Sequence, residues 1–158
     1  MRRLFAAIVP MLACLCLLMP RSAGAQDISH LDMDGLRSLL AQNKGSVVML
    51  NFFATWCPPC RAEIAEISRI YPEYARKGLV IIGLSVDEDK SKVPPFVTKQ
   101  KIAWPVHTVG ADVAATYRIH SIPHNAVYGR DGKLLLSEAG VADEQGMREL
   151  FDKLLKED

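Results

Sequence analysis

The amino-acid sequence predicts an α/β fold, a central mixed β-sheet flanked by helices. Three observations lead there. A continuous apolar run, 47–53, suits a central strand buried on both faces, and 79–86 reads as a second buried strand. Around them lie stretches with apolar residues at helical spacing. Further on, two short apolar runs flank Arg130, Asp131 and Gly132, a hairpin signal, and an amphipathic helix closes the chain. Strand–helix–strand followed by hairpin and helix places parallel and antiparallel pairs in one sheet.

In chain order, residues 1–25 stand apart. Arg2 and Arg3 make a basic start, residues 4–19 are almost wholly apolar, and Ala23, Gly24 and Ala25 end the segment in a small-x-small pattern before polar Gln26 and Asp27. That is the pattern of a secretory signal peptide. The apolar stretch is short for a membrane span and contains Pro10. Cleavage after Ala25 is expected, with an uncleaved membrane anchor as the rival. Lipidation at Cys14 or Cys16 is disfavoured, because apolar Leu15, Leu17, Leu18 and Met19 follow. Residues 26–158 then form one domain, long enough for a core of its own.

Within that domain Leu36, Leu39 and Leu40 mark a helix over 36–42. The strand 47–53 follows. Ile64, Ile67, Ile70 and Tyr74 form one stripe of a helix over 60–75, which Pro72 is expected to kink or end. After the strand 79–86, residues 87–92 are charged and read as a solvated connection. Pro94 and Pro95 start a short helix reaching Lys101. Residues 106–108 suit a short strand and 112–117 a short helix. Strands over 126–128 and 134–138 make the hairpin. The last helix, 143–156, turns Met147, Leu150, Phe151, Leu154 and Leu155 inward.

Removal of the first 25 residues takes away Arg2, Arg3 and Arg21, which leaves sixteen basic against eighteen acidic residues. A near-neutral chain offers no electrostatic case for nucleic acid or anionic lipid. Of four cysteines, only Cys57 and Cys60 remain.

Those two carry the chemistry. Cys57, Pro58, Pro59 and Cys60 stand directly after an apolar strand and open a helix. A C-x-x-C so placed is a redox motif. The helix N-terminus supplies unpaired N–H groups and a positive dipole end, which stabilise a thiolate, the reactive species, at Cys57. Cys60, one turn on, is placed to attack a mixed disulfide formed at Cys57. The competing readings are half a zinc site and an inert clip. Structural zinc takes four ligands, and no second cysteine pair lies beyond residue 25.

The segment from Asn51 to Glu63, the strand from Val80 to Asp87, and Ile122-Pro123 ahead of Gly129, Arg130, Asp131 and Gly132 resemble the thioredoxin superfamily. They are most similar to its TlpA/ResA-like secreted thiol-disulfide oxidoreductases. The resemblance implies a thioredoxin-like fold, with Cys57 as the attacking and Cys60 as the resolving cysteine. Trp56 would flank the site, Pro123 would be the cis-proline facing the disulfide, and Ile122 would offer its backbone to an extended client segment. Classical cytoplasmic thioredoxin has a buried Asp six residues before its first Cys and a Lys partner on the next strand. Asn51 and Gly83 occupy those places here, so that acid and its lysine are absent. Glu63, three residues after Cys60, matches a Glu of ResA-like proteins. It would take a proton from Cys60 or raise its pKa; the bland alternative is a first-turn acid favoured by the helix dipole.

His124 and Asn125 follow the proline where the family often has Thr or another small polar residue. His124 would tune the thiols, complete a Cys57–Cys60–His124 copper or zinc site, or point away. His107 and His120 have no partner legible in the sequence. The family's N-terminal hairpin looks abbreviated, since only residues 27–34 precede the first helix.

The inner prolines argue against a strong oxidant, because Pro58 removes an N–H that would face the thiolate. A poise between about −270 and −180 mV is expected. The resemblance implies a periplasmic reductase of specific protein disulfides, serving cytochrome c or copper-centre maturation. It would draw electrons from a membrane thiol-relay donor, act as a monomer, and need no cofactor or resident metal. The alternatives are a general oxidase or isomerase, or a copper chaperone using Cys57, Cys60 and His124. A peroxiredoxin-like peroxidase is disfavoured, because Thr55 stands two residues before Cys57, not three.

Overall fold

A computed structural model describes residues 28–156. The expected signal peptide, residues 1–25, lies outside the described residues. No helix among the described residues is long and apolar enough to cross a membrane.

The elements run β1 (His30–Leu31), α1 (Met33–Gln42), β2 (Val47–Phe53), α2 (Pro58–Ala75), β3 (Leu79–Ser85), α3 (Val93–Gln100), β4 (Val106–Val109), α4 (Ala111–Thr116), β5 (His124–Tyr128), β6 (Leu134–Ala139) and α5 (Glu144–Leu154). One six-stranded sheet has the order β1-β4-β3-β2-β5-β6. The pairs β1–β4, β4–β3 and β3–β2 are parallel; β2–β5 and β5–β6 are antiparallel. The mixed sheet follows from the linkers: helices carry the parallel crossovers, while the tight turn at Gly132, with φ 78°, closes the β5–β6 hairpin.

All of β2 is buried, as its run of six apolar residues around Asn51 requires. Successive side chains alternate between two cores. Val47, Met49, Phe53, Ile81 and Val127 face α2, α3 and α5. Val48, Leu50, Phe52, Leu84 and Ala126 face α1 and α4 through Leu36 and Val113. Asp32 caps α1, its carboxylate accepting from Gly35 N at 2.8 Å.

Two sequence expectations need correction, and one strand was not foreseen. Helix α2 runs to Ala75, the bound its sequence suggests, so Pro72 does not end it. Ile64, Ile67, Ile70 and Tyr74 stay on one buried stripe, and Tyr74 Oη donates to Asp152 at 3.0 Å, so packing outweighs the missing N–H. The stretch 87–92 is not merely solvated: Asp87 is buried, and Lys90–Lys92 form a 3-10 turn feeding α3. Strand β5 starts at His124, two residues early, because polar His124 and Asn125 pair with Phe52 and Asn51. Strand β1 escaped the sequence reading, since two residues show no period.

Candidate active site

Strand β2 ends at Phe53, and a turn delivers the chain to α2. Asp87 holds that turn. Its Oδ2 accepts from Thr55 N at 2.9 Å and from Ser85 Oγ at 2.8 Å, and its Oδ1 accepts from Thr55 Oγ1 at 2.7 Å. A buried carboxylate with three donors is satisfied and rigid. Sequence reasoning missed this role; the serine two residues upstream is the only hint the chain offers.

Cys57 is the N-cap of α2 and is joined to Cys60 in a disulfide, Cα–Cα 5.4 Å. Cys57 Sγ accepts from Cys60 N at 3.2 Å. Pro58 and Pro59 fill the first two helical positions, where backbone N–H groups would otherwise point at the cap. The sulfur therefore has one helical N–H donor. Cys57 is 3 % exposed and Cys60 is fully buried, so what surface the pair retains belongs to Cys57.

The Ile122–Pro123 bond is cis. It sets the Ile122 carbonyl oxygen 3.8 Å from Cys57 Sγ. Trp56, 65 % exposed, stands beside the pair, and Pro58 and Pro59 are exposed with it. Exposed apolar residues thus neighbour Cys57 in the chain, and the cis bond presents backbone rather than a side chain to Cys57 Sγ.

Glu63 lies one turn beyond Cys60 and is fully buried. It is no solvated first-turn acid. Its Oε1 accepts from Asn125 Nδ2 and from Ala142 N, both at 2.8 Å, and its Oε2 accepts from Asn51 Nδ2 at 2.7 Å. Asn51 Nδ2 also donates to Asn125 Oδ1 at 2.9 Å. Burial pushes the Glu63 carboxyl up from its ordinary value, and the three hydrogen bonds pull it partway back. The site contains a buried acid after all. It comes from α2, but it meets Asn51, the position expected to have lost it, and Asn51 pairs in register with Gly83.

His124 is brought elsewhere. It shares the sheet face of Phe52, whose ring it meets edge-on at 5.9 Å, and its Nε2 lies 2.9 Å from Ser137 Oγ. Cys57 and Cys60 pack in the core on the opposite face. The three ligands of the copper-chaperone reading are therefore not gathered at one point. Among the described residues, no group of three His, Cys, Asp or Glu is placed to hold a metal ion. His107, which showed no partner in the sequence, meets Ser29 Oγ at 2.9 Å.

Comparison with known proteins agrees with this geometry. The AhpC/TSA family pattern matches residues 23–136. The chain is 32 % identical over 124 residues to the thiol-disulfide oxidoreductase ResA of Bacillus thuringiensis subsp. konkukian, covering 78 % of this chain and 72 % of that one. It is 31 % identical over 137 residues to ResA of Halalkalibacterium halodurans, covering 85 % and 77 %. Among solved structures it is similar to a thioredoxin-family thiol:disulfide interchange protein of Chlorobium tepidum TLS, with TM-score 0.67 and 27 % identity over 73 % of this chain and 83 % of that one. It shares the fold of a putative DsbE from Chlorobium tepidum, with TM-score 0.68 and 24 % identity over 73 % and 84 %. With its Cys57–Cys60 disulfide at the head of α2, the chain belongs to the AhpC/TSA family of thioredoxin-like proteins and is a ResA-type thiol-disulfide oxidoreductase.

Proposed function

We propose that this oxidoreductase works as a periplasmic reductase of specific protein disulfides, in cytochrome c or copper-centre maturation, after export on residues 1–25. The observation that supports the reducing direction is the single N–H donor at Cys57 Sγ. A strong oxidant stabilises its thiolate heavily. With Pro58 and Pro59 at the first two helical positions, the thiolate has the dipole and one hydrogen bond only. The dithiol is then less favoured over the disulfide, and the pair gives up its electrons readily.

In this reading Trp56, Ile122 and Pro123 seat an extended client segment, which adds alongside the cis-proline strand. The Cys57 thiolate attacks one client sulfur, the client S–S bond breaks, and a client thiolate leaves. Glu63 takes the Cys60 proton. The Cys60 thiolate then attacks Cys57 Sγ, forming the Cys57–Cys60 disulfide and expelling the second client thiolate. The client gains two electrons and, through Glu63 and solvent, two protons. A membrane thiol-relay dithiol returns the two electrons to Cys57–Cys60.

The equilibrium potential of Cys57/Cys60, measured against glutathione and thioredoxin buffers, tests the direction. A value near −270 mV is expected, and one near −120 mV, the strong-oxidant end, would make the protein an oxidase.

A further inference from the structure

A cavity of about 440 Å³ opens between β6 and α5. Met49, Val127, Leu136, Met147 and Phe151 are among the residues lining it, and Glu138 and Asp143 contribute carboxylates. Two further lining residues, Asn125 and Ala142, hold Glu63 Oε1 from the other side. Glu63 itself is fully buried and does not line the cavity. The Asn125 side chain and the Ala142 backbone are thus the layer between the carboxylate and accessible space. The main chain of that layer is tied down, because Gly140 N donates to Pro123 O at 2.9 Å. Only the Asn125 side chain can be removed without cutting backbone.

We propose that Asn125 is a positioning residue of the exchange reaction: it is the wall between the Glu63 carboxylate and the cavity, donating to one and facing the other, and it decides how water reaches that carboxylate. This rests on the reading of Glu63 as the proton acceptor of Cys60. Around Glu63, α2 carries Cys60 and is capped by Cys57, β2 offers Asn51, β5 offers Asn125, β6 brings Glu138 to the cavity, and Asp143 stands at the head of α5. Burial and three hydrogen bonds set its proton affinity, with no ion pair among the causes.

Two substitutions at this one position pull in opposite directions. Asn125→Ala opens the wall, so water solvates the carboxylate and replaces the lost donor, and Glu63 ionises at lower pH than in the wild type. Asn125→Leu keeps the wall dry but removes the donor, and Glu63 ionises at higher pH. The two variants should differ by about tenfold or more in proton affinity, the scale of one hydrogen bond to a charged group. The readout is the ¹³C shift of the Glu63 carboxyl carbon against pH in the full oxidised domain, where the thiols do not titrate. Asn125→Ser replaces the alanine variant if that one does not fold. Shifts of the same sign in both variants, or none in either, overturn the wall.

The pH–rate profile of mixed-disulfide resolution supplies the second arm. Resolution needs ionised Glu63, so its inflection should move with the titration, down in Asn125→Ala and up in Asn125→Leu. A split titration with an unmoved rate profile removes Glu63 from the exchange, and Asn125's part with it. An unsplit titration beside a slowed Glu63→Gln variant leaves Glu63 in place and removes Asn125 alone.

Discussion

Glu63→Gln separates stability from activity. Glutamine imitates the protonated acid. Its amide oxygen can keep both donors now on Oε1, Asn125 Nδ2 and Ala142 N, while its NH₂ group turns toward Asn51 Nδ2. Asn51 can relieve that clash by offering its Oδ1, which has no partner, at the expense of its bond to Asn125 Oδ1. The lost bond costs about 1 kcal/mol, but the protonated wild-type acid faces the same rearrangement, so the two proteins should match in stability at pH 4. Above that they diverge. Burial raises the folded-state proton affinity of Glu63. Between the unfolded and folded pKa values the folded wild type therefore holds more protons than the unfolded chain. Its stability is fully present below the unfolded pKa and falls as pH rises. The glutamine variant has no such slope. Its relative stability should grow by about 1.4 kcal/mol per pH unit until folded Glu63 is ionised, then level off. Resolution of mixed disulfides should slow about tenfold, below the usual range for one acid–base group. Denaturant unfolding of the oxidised proteins from pH 4 to 8, with stopped-flow exchange, measures both. A stability difference flat in pH would refute the argument that burial dominates at Glu63, and an unchanged resolution rate would refute its proton transfer.

Cys57→Ser should abolish reduction of client disulfides, whereas Cys60→Ser should trap mixed disulfides on non-reducing gels; equal trapping by both variants would reverse the assigned order. His124→Ala should leave the copper affinity of the reduced protein unchanged, because its ring lies on the other sheet face; a loss of about tenfold, the low end for a supporting group, would contradict that placement. Asp87→Ala leaves the Thr55 amide, the Thr55 hydroxyl and Ser85 Oγ without their acceptor. It should destabilise the protein by about 2–4 kcal/mol and shift the emission of Trp56, and a loss under about 0.5 kcal/mol would mean that Asp87 does not hold the turn.

Most of the fold was legible because its strands and helices differ in hydrophobic period. The run Val47–Phe53 is apolar but for Asn51 and Leu79–Leu84 is apolar around Gly83, and the Ile64, Ile67, Ile70 and Tyr74 stripe follows the helical repeat. What stayed hidden depends on tertiary partners. Asp87 looked like one acid in a charged loop, and its task of holding the turn depends on Thr55, thirty-two residues earlier. Asn125 looked like a departure from the family, and its meaning lies in Glu63, sixty-two residues away. The spacing of Glu63 from Cys60 was readable. Its burial was not, because the burying groups come from β2, β5 and the segment before α5. His124 was ambiguous until strand alternation placed Asn125, not His124, on the face of the disulfide.

Placing the acid on α2 divides two tasks between elements. Its distance from Cys60 is set by one helix turn, whatever the packing of helix on sheet. Its proton affinity is set by burial, which raises it, and by neutral donors that pull it partway back: the Ala142 N–H, Asn125 on β5 and Asn51 on β2. An acid on β2 with a lysine on β3 would instead be governed by a charge pair. Gly83 leaves only tight space for such a partner, since an added Cβ there would meet Val106 Cγ2 at 3.1 Å and Phe53 Cε1 and Trp104 Nε1 at 3.3 Å, and these neighbours would have to shift. Salt screens pairs of charges but barely alters burial and short hydrogen bonds. The Glu63 titration should therefore hold its midpoint, within about 0.2 units, when ionic strength rises from 0.01 to 1 M and the Debye length shrinks from about 30 to about 3 Å. The same carboxyl-carbon measurement at the two salt levels decides the matter. A midpoint that climbs with salt would reveal a cation stabilising the carboxylate, and the account of this acid as governed by burial and neutral donors would fail.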